Sequence, residues 1–263
     1  MKTFFSMAMI FLFIFTGSVY TQNQSDLNHQ LITAVRENNT NKALSLLNKG
    51  ASVNATDSSS LTALMIAVRN GYTDMVQLLI RNKADLNLTE ELFGLTALHY
   101  AIHFKKNEIA IFLLESGANT EILVNEKDYL VYAIEENNPD LVRFLIKTGF
   151  NPHKVLPMYD SSGNVTLLMI AAKYENIETA EILLSAGLNI ETLDGYGDPA
   201  FNWAAFYKNL DMINFFIARK CKLNVRGYAG YTALDHAVSQ GAGPEIIETL
   251  KKAGCLSGKQ DKK

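Results

Sequence analysis

Neither sign of charge dominates this chain. Its 24 Lys and Arg face 27 Asp and Glu, a net charge of -3, so no basic surplus is available to neutralise a phosphate backbone, which argues against nucleic acid as a partner. Cysteine is nearly missing: Cys221 and Cys255 are the only two, which allows one disulfide at most and no cysteine-rich metal centre. No serine or cysteine nucleophile elbow, phosphate loop or zinc-helix motif occurs, which leaves no catalytic signature. Nor does any apolar run reach the roughly 20 residues that a helix needs to cross the hydrocarbon of a bilayer. What is there is apolar mass. Hydrophobic residues make up 48% and charged ones only 19%, a balance that excludes a disordered polyelectrolyte and supplies a substantial core.

The longest apolar run stands at the start. Lys2 precedes Phe4 to Phe15, after which small and polar residues follow from Thr16. A short run behind one positive charge predicts a secretory signal peptide over residues 1–21, cut between Ser18 and Thr21. The lack of an Ala-x-Ala site leaves retention as an uncleaved anchor open, and no cysteine follows the run to take a lipid. The expected location is secreted or periplasmic.

From Asp26 onward the chain repeats. A threonine recurs at Thr62, Thr96, Thr166 and Thr232, with His29, Asp128 and Pro199 in the equivalent places, and the successive steps are 33, 34, 32, 38, 33 and 33 residues. A glycine recurs in register at Gly50, Gly117, Gly149, Gly187 and Gly254, with Lys83 and Lys220 filling the gaps. Threonine can cap the first turn of a helix, and glycine supplies the left-handed residue that closes one. Between them, stretches such as Met75 to Ile80 and Ile177 to Leu184 carry apolar residues at helical spacing. One helix pair cannot bury such a face alone, but stacked copies form a continuous core. The two lysines should strain their joints, because a side chain in the left-handed region costs roughly 1 kcal/mol. The 38-residue step places an insertion at Pro152 to Gly163.

The period near 33, with Thr-x-Leu-x-x-Ala as in Thr96 to Ala101 and Leu-Leu-x-x-Gly-Ala as in Leu113 to Ala118, resembles the ankyrin repeat. The resemblance covers nearly everything after the apolar segment. It implies an all-α solenoid of stacked helix pairs with β-turn or hairpin tips, and seven repeats at about 26–57, 58–90, 91–123, 124–157, 158–193, 194–226 and 227–256 within a domain over 22–256. The polar segment 257–263 reads as a disordered tail.

The five histidines do not form a metal-ligand spacing, and His99 holds the family's usual position, where it bonds local backbone. Asp235 and His236 are adjacent on a helix, so their side chains diverge and cannot act together as a relay. Cys221 and Cys255 hold equivalent places in neighbouring repeats, and stacking at about 8 to 10 Å exceeds the Cα separation of about 7 Å that a disulfide accepts, which favours free thiols. Asn-x-Thr or Asn-x-Ser triplets at Asn23, Asn38, Asn54, Asn87 and Asn164 are accounted for by the general richness in asparagine.

What remains is recognition by surface. The resemblance implies a concave groove lined by first helices and turn tips, toward which Phe104, Tyr132, Tyr174, Trp203, Phe206 and Tyr207 would point, with Tyr196 and Tyr228 at the tips. Large rings at nominally solvated positions either form a contact surface or pack against neighbouring repeats. The expected function is a non-enzymatic adaptor, monomeric, without cofactor or metal, binding a protein partner through these rings. The alternative is a membrane-tethered periplasmic scaffold that protects or inhibits an envelope enzyme.

Overall fold

A computed structural model describes residues 23–124, 127–157 and 164–258. The expected signal peptide, the middle of the insertion (158–163) and the end of the tail (259–263) lie outside the described residues. The chain falls into two compact units, Met1–Glu126 and Lys127–Lys263.

In the first unit six helices follow one another in three helix-turn-helix pairs: α1 (residues 23–36) with α2 (Thr40–Asn48), α3 (Ala63–Asn70) with α4 (Thr73–Arg81), and α5 (Ala97–His103) with α6 (Asn107–Glu115). The second unit holds α7 (Tyr129–Glu135) and α8 (Pro139–Lys147), α9 (Leu167–Lys173) and α10 (Ile177–Ser185), α11 (Ala200–Phe206) and α12 (Leu210–Ala218), and α13 (Ala233–Ser239) and α14 (Pro244–Ala253). Within it the first helices α7, α9, α11 and α13 pack in one row, and the second helices α8, α10, α12 and α14 in another. Between α8 and α9 a short antiparallel hairpin pairs β1 (Val155–Pro157) with β2 (Asn164–Thr166), at the place of the insertion.

Threonine and aspartate begin the first helices for the reason their chemistry predicts. Oγ1 of Thr62 accepts the Met65 N–H at 3.1 Å, those of Thr96, Thr166 and Thr232 accept the N–H three residues on at 3.4 Å, and Oδ1 of Asp128 accepts that of Val131 at 3.0 Å. Each bond satisfies a donor the helix cannot use itself, worth about 1 kcal/mol. His29 is different: it lies inside α1 and caps nothing. The helix is already under way at residue 23, tied to the end of α2 by the Gln24 side chain donating to Gly50 O at 2.8 Å and by Asn28 Oδ1 accepting from Ser52 N at 2.8 Å.

Lys83 and Lys220 take left-handed φ values of 65° and 57° at the glycine positions. A second left-handed residue turns the chain between the two helices of each pair: Asn38, Lys105, Asn137, Glu175 and Lys208, with glycine used only at Gly71 and Gly241. Four residues before each pair-ending position stands the core anchor, in turn Leu46, Leu79, Leu113, Leu145, Leu183, Phe216 and Leu250, at most 4% exposed. Burial of each such side chain stabilises by roughly 2 kcal/mol.

The asparagines have a structural use. Oδ1 of Asn54, Asn87 and Asn224 accepts the backbone N–H of Asp85, Asn119 and Leu256, at 2.9, 2.7 and 2.7 Å, so each clamps one tip to the next. Asn209 Nδ2 reaches back to the carbonyls of Ala172 and Lys173 at 2.6 and 3.0 Å, satisfying acceptors that the end of α9 leaves open. Two residues assigned by sequence to the disordered tail are tied down too: Ser257 Oγ and Gly258 N donate to Asp235, at 2.5 and 2.7 Å. Cys221 and Cys255 are free and buried. Burial pushes the Cys221 thiol up to about 12 and that of Cys255 to about 11, so neither is a thiolate or a nucleophile at neutral pH. Among the described residues no helix is long and apolar enough to cross a membrane.

Candidate functional site

Six of the eight ring residues singled out by sequence converge in the second unit, and a seventh stands at the edge of the same network. Trp203, Phe206 and Tyr207 share one face of α11, as spacings of three and four dictate. The Trp203 and Tyr207 centroids lie 5.9 Å apart, and Phe206 meets Tyr207 edge-on at 5.1 Å. From the tips, Tyr196 and Tyr228 meet in a T-shape at 5.4 Å. Lys173 Nζ ties Tyr174 to the group, 4.9 Å from its ring and 5.5 Å from that of Tyr207. Tyr174 in turn donates its hydroxyl proton to Glu135 at 3.2 Å, and Glu135 is paired with Lys127, which stands 6.0 Å from the ring of Tyr132. Phe104 belongs to the first unit, where it stacks on Tyr100 at 6.2 Å beneath the Arg69 guanidinium at 5.7 Å.

Five of these rings wall a cavity of about 310 Å³ lined also by Asp194, Asp198, Asn202 and His236. Asp194, Asp198 and Asn202 carry no mark in the sequence, and His236 stands out there only beside Asp235; all four are buried. Asp194 holds the turn: Oδ1 accepts the N–H groups of Tyr196 and Asp198 at 2.8 and 2.9 Å, and Oδ2 accepts the indole N–H of Trp203 at 2.7 Å. Trp203 is therefore fixed in orientation rather than loosely displayed. Asp198 Oδ1 accepts from Asn202 Nδ2 at 2.6 Å and from His236 Nε2 at 3.0 Å, and Oδ2 accepts from Tyr228 N at 3.0 Å.

Burial pushes the Asp194 carboxyl above its ordinary range, its hydrogen bonds opposing only in part. Burial pushes Asp198 the same way, but the donors from His236, Asn202 and Tyr228 outweigh it and hold the group below its ordinary value. Asp198 is thus ionised at neutral pH, three ångströms from an imidazole. The lining contains no Ser, Thr or Cys beside that imidazole, so the pair has no hydroxyl or thiol of those residues to activate. Among the described residues no group of three or more His, Cys, Asp or Glu could hold a metal ion.

The family model for ankyrin repeats (three copies) matches residues 31–123, 64–155, 121–194 and 168–261. The chain belongs to the ankyrin-repeat family. A putative ankyrin repeat protein of Acanthamoeba polyphaga mimivirus is 29% identical over 178 residues, 64% of this chain and 22% of that protein. One from Rickettsia felis is 29% identical over 138 residues, 52% of this chain and 48% of its own length. The chain thus spans less than half the length of these relatives. The crystal structure of the human ASB11 ankyrin repeat domain superposes with a TM-score of 0.69 at 21% identity, over 86% of this chain and 98% of that one, and establishes the fold as an all-α ankyrin solenoid.

In the ankyrin copies that start with threonine, the residue three further on answers the cap: Met65, His99, Met169 and Asp235 each close a capping box. The copy containing the cavity starts α11 with Pro199, which has no hydroxyl and makes no cap bond. Asn202, with no capping box to complete, turns its amide to Asp198 and to Val225 O at 3.3 Å. The polar floor forms where the repeat pattern breaks.

Proposed function

We propose that this ankyrin-repeat chain is a non-enzymatic binding module, exported and adaptor-like, that takes a protein partner on the aromatic face of its second unit. Its helix pairs are read as seven repeats within residues 22–256. The observation that carries the reading is the gathering of five rings around one cavity, with Phe206 37% and Tyr228 58% exposed. Rings are the side chains that supply most of the binding energy at protein interfaces, and rings left partly in water are unexplained by core packing alone. Ankyrin repeats are protein-interaction modules, which supports the general mode of action and leaves the partner open.

Affinity capture from the native compartment, with mass spectrometry, tests the proposal when each captured protein is then rebound to the wild-type chain and to Phe206→Ala with Tyr207→Ala. A direct partner should lose affinity for the double variant. Partners that bind both chains equally would remove this face from the interaction. A second reading, a membrane-tethered periplasmic scaffold acting on an envelope enzyme, is favoured by the apolar run Phe4 to Phe15 without an Ala-x-Ala site. The mass of the mature protein separates the two, since only cleavage shortens the chain.

A further inference from the structure

The composition of the cavity selects a charge. Its walls are the rings of Tyr196, Trp203, Phe206, Tyr207 and Tyr228, whose faces carry the negative end of the aromatic quadrupole. Its floor holds the Asp194 and Asp198 carboxylates, 8% and 5% exposed. Their partners are backbone and side-chain N–H groups and His236. Among the described residues neither is paired with a lysine or arginine.

Asn202 adds a strained buried amide to the lining. It is 1% exposed, and its Nδ2 is committed to two acceptors, Asp198 Oδ1 and Val225 O. That commitment fixes which end of the amide is oxygen, and Oδ1 is buried with no hydrogen-bond partner. A buried acceptor without a donor is an uncompensated cost. An anion entering here would meet like charge. A neutral apolar group would cover the rings and leave the carboxylates' charge unanswered. A cation answers the ring faces and the carboxylates together, and the rings already receive one at their margin, where Lys173 Nζ sits over Tyr174 and Tyr207.

We propose that this cavity receives an alkylammonium head, presented as a lysine side chain of the protein partner. The inference rests on the reading of this face as a partner surface and adds the chemistry that the partner must offer. A volume of about 310 Å³ accommodates one such side chain.

Trp203 is the chain's single tryptophan and stands in the wall, so its fluorescence reports occupancy. The full chain is titrated at constant ionic strength with n-butylammonium chloride, with 1-butanol and sodium butanoate as neutral and anionic counterparts, and with Nα-acetyl-lysine methylamide as the peptide-borne form. Saturable changes are expected for both ammonium compounds, about tenfold tighter than for butanol, with no saturation by butanoate. Tyr228, exposed at its tip, can be changed without disturbing the core: Tyr228→Phe should keep the affinity, and Tyr228→Leu, equally apolar but without a ring, should weaken it about fivefold. Butanol binding as tightly as butylammonium, or no saturable change with either ammonium compound, would overturn the proposal. The lysine derivative binding much more weakly than butylammonium would overturn the peptide source. Ammonium binding alongside unchanged partner affinity of the Phe206 and Tyr207 double variant would defeat the partner reading and leave the cavity's chemistry standing.

Discussion

Gly227 leaves the space that Asp198 occupies: a Cβ at residue 227 would lie 2.0 Å from Asp198 Oδ1 and 2.2 Å from its Cγ. The backbone there has φ of -104° and ψ of -130°, outside the left-handed region, and the room taken by Asp198 is the first reason that glycine is needed. Gly227→Ala should drive Asp198 off its bonds to His236, Asn202 and Tyr228, with a loss of about 1–3 kcal/mol in denaturant unfolding, as for other overpacked sites. Trp203 emission should shift with it, because its indole partner Asp194 is bonded to the Asp198 backbone. An alanine variant as stable as the parent, with unchanged emission, would show that the tip yields freely.

Leu113 and Lys220 test the core and the joints separately. Leu113 is fully buried, so Leu113→Ala should cost about 2–5 kcal/mol by leaving a cavity. Lys220 holds φ of 57°, and Lys220→Gly should be neutral or stabilising by up to about 1 kcal/mol. Thermal melts of the two variants decide it. A clear fall in melting temperature for Lys220→Gly would mean that the aliphatic stem of this lysine contributes more than the strain costs.

Residues whose role follows from one position and one chemistry could be read in the sequence: threonines that cap, glycines and lysines that turn left-handed, leucines four places before them, rings on α11 at spacings of three and four. The floor of the cavity could not. Asp194 and Asp198 look like ordinary tip residues, and Asn202 and His236 like single polar residues on a helix. Their meeting depends on separations of 4 to 38 residues in the chain. Pro199 was the available signal, since a proline in a threonine's place leaves the residue three further on without its partner. Glu175, Lys105 and Lys208 are left-handed reversals that the sequence does not mark, because nothing in a charged side chain announces positive φ. The asparagine clamps were equally hidden, the residue type being common throughout and the bonded partner some 31 or 32 places away.

His99 makes stability depend on pH. Its Nδ1 accepts the Thr96 N–H at 3.2 Å, which places the proton of the neutral ring on Nε2, and burial lowers its pKa from 6.5 to about 4. A histidine with a depressed folded value binds its proton more readily when unfolded. The stability it contributes is therefore complete above pH 6.5 and declines as the pH falls toward 4. Between pH 6.5 and 5, above most carboxylate titration, the loss should be about 1.5 kcal/mol. His99→Gln should be less stable at neutral pH yet lose little more over this window. A parallel decline in both proteins would assign the pH dependence elsewhere.

Phe206 and Tyr207 decide whether the rings serve a partner or the fold. Phe206 rests against His236 at 5.8 Å and Tyr207 lies beneath Lys173, contacts at the rim of the cavity rather than in the leucine core. Cutting both back to alanine should therefore change unfolding free energy by no more than about 1 kcal/mol. If the rings are contact residues, the same double variant should weaken a verified partner by more than about 2 kcal/mol, roughly 30-fold in Kd. Trp203 should remain bonded to Asp194, leaving the emission maximum of the unliganded variant close to that of the parent. The informative comparison is between the two losses. A large fall in stability with unchanged Kd would make these rings packing elements of the α11 and α13 row and move the partner to another surface. A large fall in affinity from a chain that still melts near the parent temperature would make them the anchor of the interface.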